Sequence, residues 1–400
     1  MDILICANSL EIGGAERALV GLLTQLNTPT CNVDLFLNRQ TGAFMKHIPE
    51  YINLLPEDPN AACIAIPVID ALKSRAFGVV LGRTFAKVAA RRYVKRHRLA
   101  NNNVAIEYSH LYTYPFVKQI NPNKCYDIVI AFHEPHYIAA YRTTAKKKIA
   151  WMHTDYQAIG VNAIEGLRLW SQFDGIVAIS EDCATHFKAR YPSLASKVVL
   201  IENILPKKLI LDDADAFYIE AEMPKYSGVN LLSIGRYCTA KNFDNVPDIC
   251  RRLLALGADI RWYLIGYGGD EQLIEQRIIE NGVEGRVILL GQNDNPYPYI
   301  KSCDLYVQPS RYEGKSVTVR EAQLLGKPVV ITAYPTSHSQ LTEGIDGVIV
   351  PLDNQGCAEG IFRLLQTPQR MAALGNACRH RDYSGVDNMQ RLFQLMEPEL

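Results

Sequence analysis

The 400-residue sequence has no Cys-x-x-Cys pair, although ten cysteines are spread along it at positions 6, 31, 63, 125, 183, 238, 250, 303, 357 and 378. Scattered thiols in apolar stretches such as DILICA (2–7) exclude a zinc ribbon and a disulfide framework, and are read as reduced core cysteines of a cytosolic protein. Long hydrophobic runs are missing too. No stretch reaches the roughly 18 apolar residues of a membrane span. The opening, MDILICANSLEIGGAER, has neither a basic start nor an apolar core, so a signal peptide is not expected and the cytoplasm is. Net charge is absent, with 42 Lys and Arg against 42 Asp and Glu. The balance is uneven, however: residues 1–200 carry 22 basic against 16 acidic side chains, and residues 201–400 carry 20 against 26. There is no low-complexity tract and no short-period repeat.

What is present is alternation. Continuous apolar runs at 3–7, 31–37, 128–132, 149–152, 176–179 and 198–201 suit parallel strands covered on both faces. The first leads through Gly13 and Gly14 into a helical pattern over 15–26. After an acidic, irregular stretch at 212–225 the alternation restarts. Strands are expected at 231–235, 262–266, 287–290, 305–309, 329–332 and 348–350, with helices at 246–256, 272–281, 317–325 and 358–365. Two such blocks predict an α/β protein of two doubly wound Rossmann-like domains, with ligands where the carboxyl ends of the sheets face each other across a cleft. The expected domains are 1–205 and 206–378. A helical segment, 379–400, is free to return to the first.

Two segments of the second half carry chemistry. In PSRYEGKSVTVREAQLLGKPVV (309–330) a strand ends, Glu313 stands in the turn, and Glu321 follows about one turn into the next helix. Between them the amides of residues 314–317 are expected to be unpaired donors at a helix amino terminus, which is a cradle for phosphate. Acids also favour a helix start for structural reasons alone. In LLSIGRYCTAKNF (231–243), Arg236 leaves a strand end and Lys241 follows. Two cations there suit a diphosphate leaving group, although such pairs also occur as solvated surface charge.

Together these segments resemble the carboxyl-terminal domain of retaining family 4 glycosyltransferases of the GT-B fold, over roughly 225–366. The resemblance implies that Arg236 and Lys241 bind the diphosphate of a nucleoside-diphosphate sugar. Glu313 would contact the donor sugar and Glu321 the ribose. The family's usual Glu-Gly-Phe-Gly here reads Glu-Gly-Lys-Ser, so Gly314, Lys315 and Ser316 form the donor loop. LIGYGGDEQLI (264–274) and VILLGQ (287–292) also fit. In the first half, Gly13 and Gly14 match the family's glycine loop; the loop is not the G-x-G-x-x-G of a dinucleotide fold. His153, ending KKKIAWMHTDY, matches the histidine that lies near the donor sugar. The catalytic set is therefore Glu313, His153, Arg236 and Lys241, and Gly14 joins the donor-binding set. The family's chemistry retains the anomeric configuration and requires neither metal nor cofactor. The implied acceptor is a glycan or lipid-linked glycan of cell-surface polysaccharide assembly. A nucleotide-sugar epimerase of the same fold and a non-catalytic carbohydrate- or lipid-binding scaffold are the alternatives.

Three other features stand out. His133 and His136 in FHEPH (132–136) follow a strand and could touch an acceptor; their spacing fits no helix-borne zinc motif. Asp213-Ala214-Asp215 lies in an irregular stretch and is read as solvated surface. The segment 73–98 holds nine Lys or Arg and no acid. Drawn as a helix, it puts Phe77, Val80, Leu81, Phe85 and Val88 on one face and Arg83 and Lys87 opposite. Arg83, Lys87, Arg91, Arg92, Lys95 and Arg96 are candidates for an anionic membrane surface, on the inner face of the plasma membrane, or for an anionic acceptor. The plainer alternative packs Phe77–Val88 on the core. No nucleic-acid reading module accompanies the cluster, so no nucleic-acid partner is expected.

Overall fold

The computed structural model describes residues 1–99, 103–156 and 159–397. The chain divides into two compact units, Met1–Ile204 with Val386–Leu400, and Leu205–Gly385. The second unit extends past residue 378 because the Pro368–Arg379 helix belongs to it: Leu374 sits in its core. Residues 398–400 of the expected terminal segment lie outside the described residues.

The first unit holds strands β1 (Asp2–Ala7), β2 (Asn32–Leu37), β3 (Asn53–Leu54), β4 (Tyr126–Ala131), β5 (Ala145–Met152), β6 (Gly175–Ala178) and β7 (Val198–Leu200). Their order is β3-β2-β1-β4-β5-β6-β7, and every pair is parallel. Ile3 pairs with Val33 on one side and Ile128 on the other, so the order reverses between β1 and β4. In doubly wound sheets such a reversal opens a crevice at the carboxyl ends of the two strands.

The second unit repeats the plan with β8 (Val229–Ile234), β9 (Ile260–Ile265), β10 (Val287–Gly291), β11 (Leu305–Gln308), β12 (Val329–Thr332) and β13 (Val348–Val350). The order is β10-β9-β8-β11-β12-β13, all parallel. Its reversal lies between β8 and β11. Because strand side chains alternate, Leu231, Trp262, Leu305 and Val330 enter one core with the helices Val246–Ala255 and Asn354–Leu365. Leu232, Tyr263, Tyr306 and Ile331 enter the opposite core with the helix Val317–Leu324. Burying a large apolar side chain contributes about 1.5–3 kcal/mol, and the two layers hold the strand ends rigidly. The helix Lys207–Asp213 ends just inside the acidic stretch at 212–225, the rest of which is irregular, and Asp215 is paired with Lys301.

The basic segment forms the helix Phe77–His97, which buries Val79, Gly82, Ala86 and Ala90. Ala86 and Ala90 pack with Val104 and Tyr108 of the helix Val104–Thr113. A Cβ on Gly82 would lie 2.4 Å from the Tyr112 carbonyl oxygen, so the backbones meet over small side chains. The large residues consequently face outward: Phe77 is 65% exposed, Leu81 55%, Phe85 57% and Val88 45%. Core packing of Phe77–Val88 is not what forms.

Candidate functional site

In the second unit, Arg236 and Lys241 follow β8, and Glu313 follows β11, so all three stand at the carboxyl ends beside the strand reversal. Side-chain contacts fasten the two loops. Lys241 Nζ lies 2.6 Å from Glu313 Oε1 and 2.9 Å from Oε2. The Arg311 guanidinium donates to both Asp244 carboxylate oxygens at 2.9 and 2.8 Å. Asn242, in the left-handed region at φ 63°, donates its amide to the Pro309 carbonyl at 2.8 Å. Glycine provides the remaining closeness: a Cβ on Gly266 would lie 1.9 Å from the Gly235 carbonyl oxygen.

Glu313 is further held by buried hydroxyl and amide donors. Ser310 Oγ donates to Oε1 at 2.6 Å and Gln308 Nε2 donates to it at 3.3 Å. Gln308 Oε1 accepts from the Tyr306 hydroxyl at 2.7 Å and from Thr318 at 3.3 Å. A carboxylate with this many donors is fixed in direction. Arg236 is exposed, and Gly314 and Lys315 are half-buried. The helix cradle differs from expectation, because the Ser316 amide is already taken by Gln340 Oε1 at 2.6 Å. Glu321 is fully buried and accepts from the Tyr297 hydroxyl at 2.9 Å.

The first unit has its own cavity of about 280 Å³. Its lining includes Glu16, Glu107, His133, Glu134, His136 and His153, with Tyr137 and Trp170 among the apolar walls. Asn8 joins the β1 and β4 ends: its backbone N–H donates to His133 Nδ1 at 3.3 Å and its amide to the Glu134 carbonyl at 3.1 Å. The Glu134 carboxylate accepts from the His153 backbone N–H at 3.2 Å, the Thr154 hydroxyl at 2.7 Å and the Tyr156 hydroxyl at 3.3 Å. Burial pushes Glu134 up to about 7 against these bonds. Burial likewise raises Glu107 to about 7, helped by the charge of Glu134. Burial drives the imidazoles the other way, His133 to about 4, His136 to about 3 and His153 to about 3. Three neutral imidazoles therefore line a chamber in which burial has raised Glu107 and Glu134 to about 7.

Gly14 begins the helix Gly14–Gln25 after the extended Gly13. The space above Gly13 is taken by Glu16: a Cβ there would lie 2.1 Å from Glu16 Oε2. A carboxylate at that helix start makes the loop a poor phosphate seat and a better one for hydroxyl or amine donors. Arg83 also departs from expectation. Its guanidinium bonds the Cys63 and Ile66 carbonyls at 3.2 and 2.5 Å, and burial lowers its pKa. It is a structural staple between segments. Lys87, Arg91, Arg92, Lys95 and Arg96 are exposed or half-exposed on the same helix. Glu107, Gln308, Ser310 and Gln340 carried no signal in the sequence, since single polar residues in helices or strands have no spacing to mark them. No helix among the described residues is long and apolar enough to cross a membrane.

Residues 224–381 match the profile of the family described as Glycosyl transferases group 1. This segment is a group 1 glycosyl transferase domain. That domain contains Arg236, Lys241, Glu313 and Glu321. Similar curated proteins include the lipopolysaccharide core biosynthesis glycosyltransferase LpsE of Rhizobium meliloti, 26% identical over 34% of this chain and 38% of that protein. Another is the N-acetylgalactosamine-N,N'-diacetylbacillosaminyl-diphospho-undecaprenol 4-alpha-N-acetylgalactosaminyltransferase of Campylobacter jejuni, 27% identical over 38% of this chain and 41% of that one. The chain thus spans about two fifths of the length of these relatives. Anabaena HepE, solved with UDP-glucose, matches 98% of this chain and 100% of its own at 18% identity and a TM-score of 0.67. The group 1 domain and its partner unit therefore have the two-domain Rossmann-like GT-B fold.

Proposed function

We propose that the protein is a retaining glycosyltransferase that moves a sugar from a nucleoside-diphosphate sugar to a glycan or lipid-linked acceptor in cell-surface polysaccharide assembly. One observation carries the reading: Lys241 and Glu313 are paired at 2.6 Å beside the strand reversal, with Arg236 exposed on the same loop as Lys241. A diphosphate arriving there competes for Lys241 and releases Glu313 to accept from sugar hydroxyls. As the glycosidic bond stretches, Arg236 and Lys241 stabilise the charge gathering on the leaving phosphate. The departing phosphate assists removal of the acceptor proton, and attack from the same face preserves configuration. Glu321 serves the ribose and His153 the sugar. The two cations supply the compensating charge, so the reaction runs without metal or cofactor. The group 1 domain and the named activities of LpsE and the Campylobacter enzyme support this assignment. UDP-glucose in the HepE structure favours a uridine donor for the first screen.

The outward face of the Phe77–His97 helix supports contact with an anionic membrane surface on its cytoplasmic side. Its first half exposes Phe77, Leu81, Phe85 and Val88, and its second half carries Arg91, Arg92, Lys95 and Arg96. Apolar insertion and cationic attraction act together in such interfacial helices.

The test is a thermal-stabilisation screen of nucleoside-diphosphate sugars followed by product analysis with lipid-linked acceptors. Stabilisation and transfer are expected. Donor consumed without acceptor would mean epimerisation or hydrolysis, and no stabilisation by any donor would remove the catalytic reading.

A further inference from the structure

The first unit's cavity has a charge pattern that the transferase reading does not explain. Its described lining carries three carboxylates, Glu16, Glu107 and Glu134, and neither lysine nor arginine. We propose that this cavity binds a protonated amine on a hydroxylated acceptor, an amino sugar by chemical class, with Glu107 as the specificity-determining side chain. The proposal rests on the transferase reading for the word acceptor, and on the cavity alone for the amine.

Glu107 comes from the helix Val104–Thr113, which stands outside the strand-and-helix alternation of the sheet. It receives the Asn162 backbone N–H, and the charge of Glu134, which lines the same cavity, opposes its ionisation. Buried like charges without a countercharge are unfavourable. An ammonium group that enters with the ligand removes that penalty and donates to two carboxylates at once. The imidazoles do not compete for this role, because burial keeps them neutral.

His133 and His136 supply the hydroxyl contacts. His136 is 2% exposed, and neither of its ring nitrogens has a hydrogen-bond partner among the described residues. His133 Nδ1 accepts from the Asn8 N–H, which places its proton on the unpartnered Nε2. A buried donor and a buried acceptor, both unmatched, together fit a polyhydroxylated ring. Tyr137 and Trp170 provide flat apolar walls for its faces.

Ligand-observed NMR titration of the full chain with glucosamine, glucose and N-acetylglucosamine tests this directly. Glucosamine is expected to bind about tenfold or more tightly than the other two, the factor supplied by one charge-assisted hydrogen bond. Glu107→Gln, which keeps the shape and removes the charge, should abolish that preference. Equal affinity for all three sugars, no binding of any, or a preference retained in Glu107→Gln overturns the proposal. The wild-type comparison decides even if the variant does not fold. Thermal stabilisation by UDP-glucose is followed in the same samples. Its loss would count against the donor site and leave the amine result standing.

Discussion

The Lys241 ammonium and the Glu313 carboxylate neutralise each other across two loops that are 72 residues apart in the chain. Both side chains are mostly shielded, at 20% and 10% exposure. The pairing keeps an otherwise costly carboxylate satisfied until a more highly charged partner takes the lysine.

Lys241→Ala and Arg236→Ala should each lower kcat/KM for transfer by about a hundredfold or more, the usual consequence of deleting a donor to developing anionic charge. Lys241→Ala should also lower the melting temperature, because Glu313 loses its counter-ion; Arg236→Ala should not, since Arg236 is exposed. Steady-state kinetics and calorimetry separate the two effects. Unchanged transfer in both variants would detach these cations from the diphosphate.

Gly266→Ala should impair the site without touching any charged group. Its methyl would stand 1.9 Å from the Gly235 carbonyl oxygen, and the loop bearing Arg236 and Lys241 must move aside. A cost of about 1–3 kcal/mol is expected for such overpacking. Denaturant unfolding would measure it, and wild-type stability with wild-type turnover would contradict the close approach.

Acidification should destabilise the protein below about pH 6.5, the ordinary histidine value. His110 and His133 are held at about 4, and His136 and His153 at about 3. The unfolded chain therefore binds protons between about 6.5 and those values that the folded chain refuses, and stability falls with pH across that window. Glu107 and Glu134, raised to about 7, act oppositely: their contribution is complete below about 4.5 and disappears as pH rises through 7. Four imidazoles outweigh two carboxylates. Melting temperatures from pH 7 to pH 4 should decline, and a flat or rising profile would show that these histidines are solvated.

Replacing Phe77, Leu81 and Phe85 with Ser should reduce flotation with anionic vesicles while leaving the fold intact, since these side chains already face outward. Replacing Arg91, Arg92, Lys95 and Arg96 with Ser should do the same and remove the salt dependence. Each cation near an anionic bilayer is worth about 1 kcal/mol. Equal flotation of all three proteins would exclude the helix as the contact.

Much of this was legible in the sequence because parallel strands buried on both faces read as uninterrupted apolar runs. The runs in β1, β6 and β12 stand out for that reason, whereas the two-residue β3 has too few side chains to signal anything. The donor loops were legible through spacing, as with Glu313 and Glu321. Their hydrogen bonds were not: Gln340 reaches Ser316 from 24 positions away, and no local pattern encodes that. In the Phe77–His97 helix the expected apolar face forms, but it is not the face that packs on the neighbouring helix. Apolar periodicity identifies a coherent face, but close helix contact selects the small residues Gly82 and Ala86, and the large ones are left outside.

The second unit begins and ends at one hydrogen bond, from the Leu205 N–H to the Ser384 carbonyl at 2.7 Å. The helix Asn388–Met396 then rejoins the first unit, where a Cβ on Gly175 would meet Leu395 Cδ1 at 2.9 Å. During synthesis the ribosome must therefore deliver the whole of the inserted unit before the first can close its last seam. The amino-terminal half waits for the codons of that helix, and a premature stop near residue 386 would leave the seam at Gly175 open.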